Sequence, residues 1–156
     1  MNEFMKLAYD KAMENSQNNV GGPFGCCIVK DGEVICVTSN SVLQDNDPTA
    51  HGEMNAIREA CKKLGTYDLS GCELYTTAAP CPMCLSAIIW ANIKQVYFGC
   101  NCEDAEAIGF RDNEIYKLFA GEETECIELG MEQIDREECL EIFKNYKQEN
   151  SDFRFS

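Results

Sequence analysis

The chain has 156 residues, 45% of them hydrophobic and 26% charged, which suits one compact domain over residues 1–156 and leaves too little for a second of ordinary size. Twenty-seven Asp and Glu stand against 13 Lys and Arg, and the formal charge of −14 disfavours a nucleic-acid partner. No stretch approaches the roughly 20 apolar residues of a membrane helix, residues 1–10 carry acids where a signal peptide carries bases, and eleven cysteines without an export signal point to a reducing, cytoplasmic setting.

Over residues 2–16 the apolar positions Met5, Ala8, Ala12 and Met13 recur at helical spacing, and a polar run followed by Gly21, Gly22 and Pro23 ends this first helix. Residues 25–30 and 33–39 are β-branched, cysteine-rich strands joined by Asp31-Gly32, a dipeptide whose positive φ angles suit a two-residue hairpin. A polar loop over 40–48 leads to a second helix, on which Met54, Ile57, Cys61 and Leu64 form one stripe that Gly65 closes.

Residues 72–77 read as a strand, 82–92 as a helix with Pro82 at its favoured first position, and 95–100 as another strand. Strand, helix, strand implies a parallel crossover, so this unit and the hairpin make one mixed sheet covered by helices. Farther on, 113–119 reads as a short helix, 123–129 as an edge strand of alternating charge, 136–146 as an amphipathic helix carrying Leu140, Ile142 and Phe143, and 147–156 as a polar tail. Cys26, Cys27, Cys36, Cys61, Cys72, Cys126 and Cys139 read as packing residues, because they recur among apolar neighbours.

The chemistry concentrates at two short motifs. His51 is the one histidine, and His51-Gly52-Glu53 sets an imidazole and a carboxylate in the first turn of the second helix, where side chains lean toward the N-terminus and converge beyond its end. About thirty residues on, Pro80-Cys81-Pro82-Met83-Cys84 follows a strand and opens a helix, whose free N–H groups and dipole favour thiolates. One imidazole and two thiolates are three corners of a zinc tetrahedron, the ligand count of a site that keeps its fourth corner for water, and Glu53 is placed as general acid/base. Two other readings of the same residues stand beside it. Cys-Pro-Met-Cys at a helix start is also a redox dithiol motif, and a closed structural zinc would recruit Cys100 or Cys102 as a fourth thiolate.

His51, Glu53, Pro80, Cys81 and Cys84 together resemble the signature of the zinc-dependent nucleobase deaminases of the cytidine deaminase superfamily. The resemblance implies an α/β fold, a three-layer α/β/α sandwich around a five-stranded mixed sheet, with one Zn²⁺ per chain. Gly21-Gly22-Pro23-Phe24-Gly25, Asn40, Asp47-Pro48-Thr49-Ala50-His51 and Gly109-Phe110-Arg111-Asp112 with Ile115-Tyr116 are similar to the bacterial guanine-deaminating branch. That likeness implies a small-molecule nucleobase substrate, guanine converted to xanthine and ammonia. It also implies that Asn40, Asp112 and Phe24 hold the purine and that the C-terminal segment exchanges within a homodimer, so that a terminal aromatic, Phe153 or Phe155, closes the partner's site. The alternatives within the superfamily are adenosine deamination in tRNA, against which the acidic charge argues, and free-cytosine deamination. Ala78-Ala79 departs from the Cys-Glu usual before the Pro-Cys of the superfamily, so a carboxylate that would orient a metal ligand is missing.

Overall fold

The computed structural model describes residues 1–146. Helix α1 (Glu3–Gln17) starts at Asn2, whose side chain accepts the N–H groups of Phe4 and Met5, and is followed by the antiparallel strands β1 (Gly25–Lys30) and β2 (Glu33–Ser39). Asp31 (φ 51°) and Gly32 (φ 77°) both take the left-handed conformation that the hairpin demands. A single helical turn, α2 (Val42–Asp45), precedes α3 (Gly52–Leu64), which Gly65 closes in the left-handed conformation. Strand β3 (Cys72–Ala78), α4 (Pro82–Trp90) and β4 (Gln95–Cys100) form the parallel crossover, and α5 (Cys102–Ala107), α6 (Asp112–Phe119) and α7 (Arg136–Asn145) follow.

The sheet order is β2-β1-β3-β4, with β1 antiparallel to both its neighbours. Strand alternation divides the core in two. Cys26, Ile28 and Leu74 face Ala56 and Ala60 of α3 and Ile88 of α4, whereas Cys27, Val29 and Tyr75 face Ala8, Phe4 and Met5 of α1. The expected three layers are therefore present: α1 on one side of the sheet, α3 and α4 on the other.

The expected five-stranded sheet is corrected to four strands among the described residues. Residues 123–129 run as irregular chain and not as an edge strand. Here the Glu125 N–H, which a ladder would have used, instead donates at 2.8 Å to the buried Glu114 carboxylate on α6, and that bond, with Lys117, holds the Glu114 pKa below its ordinary value. Two short helices were absent from the expected elements. One is α2, inside the expected polar loop; the other is α5, nucleated by a reciprocal capping box between Asn101 and Asp104. The cysteine assignment needs correction as well. Cys26, Cys27, Cys36 and Cys72 are buried as expected and Cys61 is half-buried, but Cys126 and Cys139 are exposed and pack into no core.

The contact between α1 and β1 sets the depth of the whole layer. A Cβ at Gly25 would overlap the carbonyl oxygen of Ala8, and the Gly25 N–H donates to Thr77 Oγ1 at 3.1 Å. Gly25→Ala is therefore expected to destabilise the fold by about 1–3 kcal/mol, as overpacking a tight core does. Urea denaturation checks this, and a midpoint equal to the parent's would contradict so close an approach.

Candidate functional site

Two helix N-termini meet beside the C-terminal end of β3. His51 is the N-cap of α3, in extended backbone (φ −69°, ψ 159°), and its side chain makes no capping bond, so the imidazole is left for other partners. It sits one residue before the helix and not within its first turn. Cys81 is the N-cap of α4, with Pro82 next to it, and its sulfur accepts the Cys84 N–H at 3.5 Å. The loop ahead of α3 is shaped by Asp47, whose Oδ1 accepts from both the N–H (2.8 Å) and the hydroxyl (2.7 Å) of Thr49.

The three donor atoms converge. Cys81 Sγ lies 3.5 Å and Cys84 Sγ 3.6 Å from His51 Nδ1, and all three atoms fall within 4.8 Å of one another. Zinc bonds of about 2.3 Å to sulfur and 2.0–2.1 Å to nitrogen give tetrahedral edges of roughly 3.5–3.8 Å, so the two sulfur-to-nitrogen distances are those of a zinc tetrahedron. The donor set fits as well. The Cys84 thiol, the His51 ring and the Cys84 backbone N–H all hydrogen-bond to Cys81 and hold its pKa well below the ordinary thiol range, while Cys84, facing that sulfur from a buried position, is pushed up. Among the described residues no further Cys, His, Asp or Glu joins the group, so neither Cys100, which is exposed, nor Cys102 supplies a fourth corner.

Glu53 is buried beside this triad. Thr76 on β3 donates its hydroxyl to Glu53 Oε1 at 2.8 Å, with the Ala78 carbonyl at 3.2 Å as a second acceptor for the same hydroxyl. Burial pushes the Glu53 pKa up. Phe24, Asn40, His51, Glu53, Cys81 and Asp112 line one cleft, together with Ala78, Ala79 and Phe110. Every expected site residue within residues 1–146 is thus in one place; Phe153 lies outside the described residues. Asp112 opens α6, half-buried, and its carboxyl is raised by desolvation and then by the nearby Cys81. Phe24 meets Phe110 edge to face, with ring centroids 4.8 Å apart and planes at 82°.

Three contributors were given no site role from the sequence, although Phe110 and Tyr116 belong to the segment that is similar to the guanine-deaminating branch. Phe110 completes the aromatic wall, Thr76 holds the carboxylate, and Tyr116, one turn after Asp112 on α6, donates its hydroxyl to the Pro80 carbonyl at 2.6 Å and so ties that helix to the cysteine loop. Thr76 had a legible signal of its own: it occupies an inward slot of a strand whose neighbours Leu74 and Ala78 are buried and apolar.

Residues 1–100 match the family model described as the cytidine and deoxycytidylate deaminase zinc-binding region. The chain is 52% identical over 114 residues to the guanine deaminase of Bacillus subtilis, spanning 73% of each protein. It is 53% identical over 95 residues to the tRNA-specific adenosine deaminase of Aquifex aeolicus, spanning 61% of this chain and 62% of that protein. The crystal structure of the Bacillus subtilis guanine deaminase superposes with a TM-score of 0.83 at 41% identity, covering 97% of this chain and 99% of the other.

A ligand and its support should differ in weight. Cys84→Ser is expected to weaken zinc binding by more than about 100-fold and Tyr116→Phe by about tenfold, since partners outside the ligand set typically contribute 10–100-fold. Titration of the loaded proteins with a competing chelator measures both, and a Cys84→Ser protein that holds zinc as firmly as the parent would remove the triad as the metal site.

Proposed function

This chain belongs to the cytidine and deoxycytidylate deaminase zinc-binding family, and we propose that within it the protein hydrolyses the exocyclic amine of free guanine, giving xanthine and ammonia. The observation that carries the reading is one cleft holding a His51-Cys81-Cys84 triad, a buried glutamate, and the amide, carboxylate and aromatic groups of Asn40, Asp112 and Phe24. The likeness to a guanine deaminase over 97% of this chain supports the choice of base.

His51, Cys81 and Cys84 would hold the zinc, which when bound supplies a Lewis acid that lowers the pKa of a water toward neutrality. Glu53 holds and moves the protons. It takes one from the attacking water as oxygen adds to C2 of the purine and delivers it to the ring nitrogen beside that carbon. It then takes the proton of the new C2 hydroxyl and passes it to the amine, which leaves as ammonia while the C2 carbonyl forms. Thr76 keeps Glu53 Oε1 in register, and the Ala78 carbonyl gives the Thr76 hydroxyl another acceptor while the carboxyl carries a proton. Asn40 Oδ1 already accepts the N–H groups of Gly22 and Val42, so its Nδ2 is the end that donates to a purine acceptor. Asp112 accepts a purine N–H, and Phe24 with Phe110 contacts the ring. The Ala78-Ala79 pair lines this cleft, and the orientation of the ligands rests on neighbours such as Tyr116.

We extend the reading to a homodimer with exchanged C-terminal segments. What supports it is apolar surface on both sides of such a contact: Ile142 and Phe143 of α7 are exposed, as are Phe98 of β4 and Phe119 of α6. A cytoplasmic setting agrees with eleven cysteines that are all unpaired, and none of the described helices is long and apolar enough to cross a membrane.

The deciding experiment scores ammonia release by the zinc-loaded protein from guanine, guanosine, cytosine, cytidine, adenine and tRNA. Guanine is expected to react fastest, and a preference for cytosine or for tRNA would overturn the assignment. Glu53→Gln is expected to keep its zinc and lose about 10²–10⁴-fold in kcat, the usual weight of a positioned proton-transfer group. Near-parental turnover in that variant would rule out the role given to Glu53. In Asp112→Ala, kcat/KM for guanine should fall by at least about tenfold, the equivalent of one hydrogen bond to a charged group, with metal content unchanged. Unaltered kinetics would place Asp112 outside the binding contacts.

A further inference from the structure

Asn15 lies in the last turn of α1, an element that contributes no residue to the list of proposed site contacts, yet it is 3% exposed. Its Nδ2 donates to two carbonyls far apart in sequence, Gly22 at 2.6 Å and Asn40 at 2.8 Å. The Gly22 N–H in turn donates to Asn40 Oδ1 at 3.2 Å, which closes a ring of three hydrogen bonds through Asn15, Gly22 and Asn40. The Asn40 N–H donates to the Phe24 carbonyl at 3.0 Å, and the Phe24 N–H donates to the Gly22 carbonyl at 2.8 Å, so the aromatic residue of the cleft hangs on the same ring.

We infer that Asn15 is a positioning residue for substrate recognition: its two amide protons fix the backbone at Gly22 and Asn40 and thereby aim the Asn40 Nδ2 group and the Phe24 ring at the purine. This rests on the proposed guanine deamination and goes one layer behind it. The side chain is selected for its donors, because its own Oδ1 is buried with no protein partner among the described residues. An aspartate would turn oxygens toward both carbonyls, and an alanine or leucine would leave both without this donor. Close packing makes the aim rigid: a Cβ at Gly21 would collide with the carbonyl and side-chain oxygens of Asn40, so the glycine loop lies directly against the residue it helps to hold. The triad and Glu53 sit on other elements, at the starts of α3 and α4, and none of them bonds to Asn15.

The predicted signature is therefore a split between binding and turnover. In zinc-loaded Asn15→Ala, KM for guanine should rise by about tenfold or more while kcat stays within about threefold, the pattern of binding lost equally from the ground and transition states. Zinc content should match the parent. Placed on Asn40→Ala, the same substitution should change kcat/KM by less than about threefold, because residues that act through one another are not additive. Asn15→Ser, which keeps one donor, should fall between parent and alanine, and it carries the test if the alanine protein does not fold. Parental constants in both Asn15 variants would overturn the inference, as would losses that are equal with and without Asn40 or that fall on kcat and zinc content. If the parent itself releases no ammonia from guanine, the functional reading fails first; if it does and the Asn15 variants are unchanged, only this inference fails.

Discussion

The site depends on two helix starts being brought to one point. Neither α3 nor α4 offers more than part of a ligand set by itself, but β3 and the loop before α3 set them so that the sulfurs of Cys81 and Cys84 each stand a tetrahedral edge from His51 Nδ1. Both N-terminal ends carry partial positive charge, which favours thiolate over thiol at the place where a cation is to bind. The packing of Ala56 and Ala60 of α3 against the sheet, with Ile88 of α4 in the same cluster, holds this geometry. Small side chains on α3 let the helix lie close, and the core on that face thus serves as the jig for the cluster.

Around it, polar groups are buried in matched sets. Glu53 has Thr76, the Pro80 carbonyl has Tyr116, and Asn40 has Gly22, Val42 and Asn15. A buried polar group left without a partner costs about 1–3 kcal/mol, so each of these pairings protects stability as well as geometry. Asn15 Oδ1 is the exception among the described residues. Its retention makes sense if the two donors on the other end of the amide do something an apolar residue cannot.

The metal triad and Glu53 were legible because their chemistry is local: each motif spans five residues or fewer and sits beside a punctuated helix start, with Pro82 marking one of them. The hairpin was legible for the same reason, since Asp31-Gly32 demands the two positive φ angles it adopts. Contacts made across long sequence separations were not. Nothing local to Tyr116 says that its hydroxyl reaches Pro80, or that Asn15 reaches Asn40, because both bonds depend on how layers stack. The edge strand expected at 123–129 failed through a tertiary competitor, the Glu114 carboxylate, which captured a backbone N–H that alternation alone would assign to a ladder. Helix α5 was the avoidable miss, for Asn101 and Asp104 carry the capping-box spacing in plain sequence.

Charge then narrows what such a cleft can accept. Two thiolates neutralise a divalent zinc, so the bound cluster adds no positive charge to offset its neighbours. Glu53 and Asp112 both line the cleft, and burial raises the pKa of each, which is the response of carboxyls in surroundings that disfavour added negative charge. A phosphate brought to this position would meet those carboxylates at short range and a chain of formal charge −14 at long range. In the proposed function a neutral, flat base meets neither penalty: its amine and ring N–H groups face the acids, its ring acceptors the Asn40 amide, and its faces Phe24 and Phe110, all of which line the cleft. On the proposed reading, the electrostatics that prepare the site for proton transfer also disfavour a nucleotide or a polynucleotide.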